Sequence, residues 1–224
     1  MFERYAIFYT ATGALARFGG AYLGWDSAGG TMVPHPEIPG VDVAGVTAVP
    51  RKYGFHGTLK APFRMRAGRD PEQLKNALAD FAGQHSAFEI GTMGLRHDHG
   101  FVALRPSSPS RDLQDFAAEV VRFFDDFRAD LNAAEIARRR QVHLTQEQDQ
   151  QMLAWGYPFI FNDFHFHLTL SGRLETTPAM QLMTALEPHL AKIVPDPFKI
   201  DAVTLMGEDK DGMFHQLHRA VLMG

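Results

Sequence analysis

The segment Phe55-His56-Gly57-Thr58-Leu59 returns as Phe166-His167-Leu168-Thr169-Leu170, offset by 111 positions from His56 to His167. The residues after each copy also repeat in order. After the first come Asp70-Pro71, then Leu74, Ala77, Leu78, Phe81 and Gly83. This predicts a helix with Asp70 as N-cap, proline in the first turn and a terminal glycine. After the second, Thr177-Pro178 precedes Leu182, Met183, Leu186 and Leu190, the same device again. Phe88-Glu89-Ile90 is matched by Phe198-Lys199-Ile200, and Leu95 by Leu205, at an offset of 110. Each copy then reaches a charged turn closed by Gly100 or Gly212 and a last apolar strand, the pattern of a hairpin. Each copy reads strand–helix–strand–strand. A chain built this way is expected to be α+β: a single bilobed domain over residues 1–224, with pseudo-repeats at about 51–105 and 162–223. The lobes are two pseudo-symmetric units of antiparallel sheet plus helices, and a two-fold relation brings the two His-x-Thr strands face to face across a central cleft.

The remaining segments read as structural. Residues 4–10 predict an opening strand and 14–23 a short helix, while residues 26–50 hold Pro34, Pro36, Pro39 and Pro50 and predict a long loop. Ser108-Pro109 opens a helix with apolar positions at Leu113, Phe116, Val120, Val121 and Phe124. Residues 134–155 predict helix broken near Leu144, with Thr145 and Gln148 at capping-box spacing.

Strand side chains alternate between faces. His56, Thr58 and Lys60 therefore share one face, and His165, His167, Thr169, Ser171 and Arg173 share one face of the second motif. The aromatic and aliphatic residues between them turn to the core. A polar face on an otherwise apolar strand suits a cleft wall. Phosphodiester cleavage needs a base, an acid and donors to the phosphoryl oxygens. Two histidines with an ordinary pKa of ~6.5 supply the first two near neutral pH. Threonine hydroxyls two residues on supply donors, with Lys60, Arg51 and Arg173 as nearby cations. The scheme calls for no metal and no cofactor. The motifs do not say which histidine is base.

Two His-x-Thr motifs on duplicated units resemble the two-histidine phosphoesterase superfamily, to which LigT-like proteins belong. The run Arg51-Lys52-Tyr53-Gly54-Phe55-His56-Gly57-Thr58-Leu59-Lys60-Ala61-Pro62-Phe63 is similar to the branch associated with bacterial phosphonate-utilisation operons, as is Trp155-Gly156-Tyr157-Pro158 ahead of His167. The resemblance covers nearly the whole chain. It implies a bilobed α+β fold with catalytic His56, Thr58, His167 and Thr169. It also implies action on a cyclic phosphodiester or a 2′–5′ linkage, with a cyclic ribose phosphate suggested by the phosphonate branch. Arg51 and Tyr53 enter as substrate-binding candidates on resemblance, since strand parity from residue 51 turns them away from His56. Lys60 and Arg173 complete the substrate-binding set.

Other residues carry plainer readings. Trp155 and Tyr157 suit either a sugar floor or core packing. His97 with His99, His165 with His167 and His215 with His218 have strand spacing for a metal, but no cysteine or carboxylate cluster accompanies them, so no metal is expected. The run Arg138-Arg139-Arg140 could touch phosphate, with a solvated helix face as its default reading. A net charge of −4 gives no field for long nucleic acid, which leaves a small phosphorylated molecule as the expected partner. The absence of cysteine, of a basic-then-apolar start and of a ~20-residue apolar run predicts a cytoplasmic setting without a membrane span. RNA-end 2′,3′-cyclic phosphodiester cleavage or 2′–5′ ligation, and a non-catalytic nucleotide- or phosphate-binding module, are the rival readings.

Overall fold

The structure, a computed structural model, describes residues 2–224. Strand β1 (Arg4–Tyr9) leads to helix α1 (Gly13–Leu23), the short strands β2 (Trp25–Asp26) and β3 (Thr31–Met32), and α2 (Val43–Val46). The first motif opens β4 (Gly57–Phe63), followed by α3 (Pro71–Ala82), β5 (Phe88–Glu89), β6 (Met93–Asp98) and β7 (Phe101–Pro106). Three helices intervene: α4 (Arg111–Phe123), α5 (Ala133–Arg139) and α6 (Gln146–Trp155). The second motif opens β8 (Leu168–Arg173), followed by α7 (Thr176–Leu190), β9 (Lys199–Ile200), β10 (Ala202–Glu208) and β11 (Phe214–Val221).

The long strands form one antiparallel sheet in the order β11-β10-β1-β4-β8-β7-β6. Its halves meet at β4 and β8, where Gly57 pairs with Leu168. These are the equivalent residues of the two motifs, so the local two-fold passes between them. The same symmetry governs β5 and β9, which pair with each other as Phe88 with Ile200 and Glu89 with Lys199. The halves of the sheet do not coincide with the repeats. Each takes its His-x-Thr strand from one copy and its hairpin from the other. The helices exchange likewise, α3 packing on β10 and β11 and α7 on β6 and β7.

Local chemistry explains the elements. Helix α3 begins in a full capping box, Asp70 accepting from Gln73 N at 2.8 Å and Gln73 accepting from Asp70 N at 3.3 Å. Its Leu74, Leu78 and Phe81 are buried on one face. Thr145 and Gln148 form the same device ahead of α6, which stops at Gly156 in the left-handed region. Helix α7 begins two residues earlier than Thr177-Pro178 suggested: Glu175 is its N-cap and makes no side-chain cap bond. Residues 26–50 are more ordered than their composition implies, since they hold the β2–β3 pair and α2, capped by Asp42.

The main core lies between the sheet and α3, α4 and α7, and includes Ile7, Leu59, Phe166, Leu168 and Leu170. A smaller apolar group of Ala6, Phe8, Met206 and Phe214, with Tyr53 against it, forms separately. Gly57 is required where it stands. A Cβ there would sit 2.4 Å from the Phe166 ring, and that ring is itself held in the core.

Candidate active site

Because Gly57 and Leu168 pair and turn to the core, their neighbours turn to the other face. Continuing the antiparallel register sets His56 opposite Thr169 and His167 opposite Thr58. The histidines are then diagonal neighbours, roughly 7–8 Å apart at the backbone. All four side chains line one cleft of about 620 Å³. The two His-x-Thr motifs, 111 positions apart in the sequence, are thus brought together in one cleft.

Each imidazole is fixed through Nδ1. His56 Nδ1 lies 2.9 Å from Gly54 O, and His167 Nδ1 lies 2.7 Å from His165 O. A carbonyl oxygen can only accept, so each Nδ1 carries the proton and each Nε2 keeps its lone pair. His56 Nε2 is 3.2 Å from Thr58 Oγ1, which can donate to it. Burial lowers His56 to about 4, with the Gly54 bond opposing and His167 adding to the fall. Burial also lowers His167 to about 4, opposed by the His165 bond and reinforced by Arg105, His165 and His99. Both rings are thus neutral near pH 7.

The rings have unlike neighbours. His56 stacks on Phe8 with centroids 3.9 Å apart and lies 5.7 Å from the Tyr53 ring. His167 lies 5.4 Å from the Phe101 ring, and the Arg105 guanidinium sits 5.2 Å from that same ring.

Of the expected substrate-binding residues, Tyr53 and Arg173 line the cleft. Tyr53 arrives on a 3-10 turn, Pro50–Tyr53, so strand parity does not apply to it. The Arg173 side chain forms no hydrogen bond or ion pair among the described residues, its backbone pairing with Phe101 in the sheet. Lys60 and Arg51 are not brought to the cleft. The β1–β4 register passes from Phe8 opposite Thr58 to Ile7 opposite Lys60, a bulge that reverses the alternation. Lys60 is 4% exposed and donates to Val121 O at 2.8 Å and Asp125 at 3.1 Å. Arg51 reaches the other way, donating to Leu23 O at 3.0 Å and Ala44 O at 2.9 Å. It ties the Pro-rich segment to the end of α1. Ser171 is also committed, its Oγ accepting from Val102 N at 2.9 Å where the β7–β8 register shifts.

Sequence reasoning passed over Arg4, Phe8 and Phe101 as lining residues, and its default of a solvated face for the three consecutive arginines fails for two of them. Arg138 and Arg139 line the cleft, while Arg140 pairs with Asp149 at 2.7 Å. Tyr157 lines the cleft, and Trp155 packs instead against Phe161. Phe8 carried a signal, as an aromatic on an opening strand. Nothing in the sequence marks which arginines of a run face inward.

Comparison with known proteins places the chain. A family model described as "Protein of unknown function (DUF1045)" matches residues 58–215. The chain belongs to the DUF1045 family. It is 34% identical over 218 residues to "Ribose 1,5-bisphosphate phosphokinase PhnN" of Janthinobacterium sp. (strain Marseille), covering 93% of this chain and 48% of the relative. It is 26% identical over 221 residues to a protein of the same name from Laribacter hongkongensis (strain HLHK9), covering 97% of this chain and 51% of that relative. The chain therefore spans about half the length of the curated relatives it matches. E. coli LigT complexed with 3′-AMP is similar over 100% of both chains at 16% identity and a TM-score of 0.45. A structure described as a phosphoesterase is similar over 99% of both at 15% identity and a TM-score of 0.41. No helix among the described residues is long and apolar enough to cross a membrane.

Proposed function

We propose that this protein is a metal-independent phosphodiesterase that hydrolyses a small cyclic phosphodiester, a ribose cyclic phosphate of phosphonate breakdown being the favoured class. The observation that carries the proposal is the meeting of two imidazoles in one cleft, each with Nδ1 fixed on a main-chain oxygen and Nε2 unprotonated, beside two threonines. One Nε2 takes a proton from water as its oxygen bonds to phosphorus. The other, protonated, gives its proton to the ester oxygen as the P–O bond breaks. The products are a phosphomonoester and a free hydroxyl. Thr58, Thr169 and Arg173 hold the non-bridging oxygens. Tyr53 floors the sugar.

Both rings are lowered to about 4, and Arg105, itself 3.4 Å from Asp98, adds to the fall only at His167. We assign His167, held neutral beside that cation, as the base and His56 as the acid. The bound phosphoryl charge would then raise His56 into its protonated form. Ribose phosphate as the substrate class is supported by the wording of the relatives' names. The phosphokinase activity in those names belongs, on this reading, to the half that this chain does not cover. A Gly-x-x-x-x-Gly-Lys-Ser/Thr phosphate loop is absent from this sequence. A cytoplasmic setting goes with that substrate.

The test is a panel of ribose 1,2-cyclic and nucleoside 2′,3′-cyclic phosphates assayed with chelator present. Turnover of at least one, unchanged by chelator, is the expected result. Loss with chelator and return with a divalent ion would defeat the metal-independent scheme. Turnover confined to RNA ends, steeply weakened by salt, would favour the RNA-end phosphodiesterase or 2′–5′ ligase. Binding that both histidine-to-alanine variants retain, without turnover of any substrate, would mark a binding module.

A further inference from the structure

Among the described residues, the cleft is lined by Arg4, Lys52, Arg138, Arg139 and Arg173, and by no aspartate or glutamate. Arg4 is paired with Glu208, at 2.6 Å for one of its two bonds. The other four cations make no ion pair among the described residues, in a chain whose net charge is −4. A cyclic diester brings a single negative charge, and Arg173 with the two threonines already answers it. Arg138, Arg139 and Lys52 remain without an ion pair, and Glu135, the carboxylate that acts on both arginines, is committed to Arg64 at 2.9 Å.

Arg138 and Arg139 come from α5, which lies in the insertion between the two repeats. The favourable field at a helix C-terminus accounts for basic residues in its last turn. It does not account for Arg139 Nε, which is buried with no hydrogen-bond partner. The Arg139 guanidinium lies over the Tyr157 ring at 5.1 Å. Burial keeps the Tyr157 phenol protonated, as a donor. The charged groups acting on Arg139 are Tyr157, Arg138, Arg4 and Glu135, whereas those acting on His167 are Arg105, His165 and His99. Two separate electrostatic neighbourhoods thus share one cleft.

We propose that Arg139, with Arg138 and the Tyr157 hydroxyl, forms a second anion subsite, and that the substrate carries a phosphomonoester besides the diester that is cleaved. A phosphomonoester bears about −1.5 to −2 at pH 7 and offers three acceptor oxygens. An arginine fork matches such a group in two hydrogen bonds at once. This deepens the phosphodiesterase reading and rests on it for the second half of the statement.

The experiment compares adenosine 2′,3′-cyclic phosphate with its 5′-phosphorylated counterpart. The wild-type protein should favour the 5′-phosphorylated compound in kcat/KM by about 10- to 100-fold, the scale of a charged hydrogen bond. Arg139→Ala should bring that ratio close to one, and Arg139→Lys should restore part of it. No wild-type preference, or equal losses on both compounds in Arg139→Ala, would overturn the subsite. Binding of ribose 5-phosphate by calorimetry separates the two claims. Binding kept in His56→Ala and lost in Arg139→Ala supports the subsite even where neither cyclic compound is turned over, and that outcome counts against the phosphodiesterase alone. Binding insensitive to Arg139→Ala overturns the subsite whatever the turnover.

Discussion

The two walls of the cleft are related by the repeat, yet their surroundings differ. His56 rests on an apolar wall of Phe8, Tyr53 and Phe214, with Phe8 stacked directly on its ring. His167 rests on a polar wall with the Arg105 cation, His99 and His165. Both rings are anchored identically, Nδ1 to a main-chain oxygen two residues back. Duplication therefore fixes where the imidazoles point, and in the proposed mechanism the neighbours that differ assign each ring its role. The same low proton affinity has a shared cause in burial, with a cation contributing only on the second wall.

The largest effects should come from removing the rings. His56→Ala and His167→Ala should each lower kcat/KM on a cyclic substrate by roughly 10²–10⁴-fold. A 4-nitrophenyl phosphodiester, whose leaving group needs no proton, sharpens the comparison. It should recover most of the loss in His56→Ala and little in His167→Ala. Equal recovery would dissolve the distinction between the walls.

Next in size is the contact at the symmetry axis. Gly57→Ala pushes a methyl into the Phe166 ring at a clash distance of 2.4 Å. It should cost about 1–3 kcal/mol in urea unfolding, the range for overpacking. Unchanged stability would mean that the strands can part at the axis.

Acid should weaken the fold through both walls. Each histidine has its folded value lowered to about 4 from the ordinary 6.5, so the unfolded chain binds more protons between those values. Stability contributed by the neutral rings is present above about 6.5 and is lost as pH falls through about 4. Unfolding free energies measured across this window should fall with pH, and less so in His167→Ala.

The smallest effect isolates the cation. Arg105→Met should raise the His167 pKa by about one unit, as removal of a nearby like charge does, and leave His56 nearly in place. Histidine ring NMR titrations read both. Equal movement of the two would place the asymmetry elsewhere.

The sequence showed the repeat, the α+β class and the two motifs, because these depend on local pattern and spacing. It could not show that the halves of the sheet exchange elements between copies, since strand order is decided by long-range pairing. Lys60 illustrates a second limit. Strict alternation sent it to the cleft, and a bulge opposite Ile7 sent it to the core beside Asp125. Tyr53 illustrates the converse, being excluded by parity and admitted by a 3-10 turn. The split of Arg138 and Arg139 from Arg140 depends on Asp149 in another helix, which no reading of α5 alone reveals.

The central claim is that the two imidazoles act as one device, and a double-mutant cycle on a cyclic phosphodiester tests it most directly. Groups acting in one step give strongly non-additive losses, so His56→Ala/His167→Ala should be little worse than the more damaged single variant. Losses that multiply across the two changes would contradict the account.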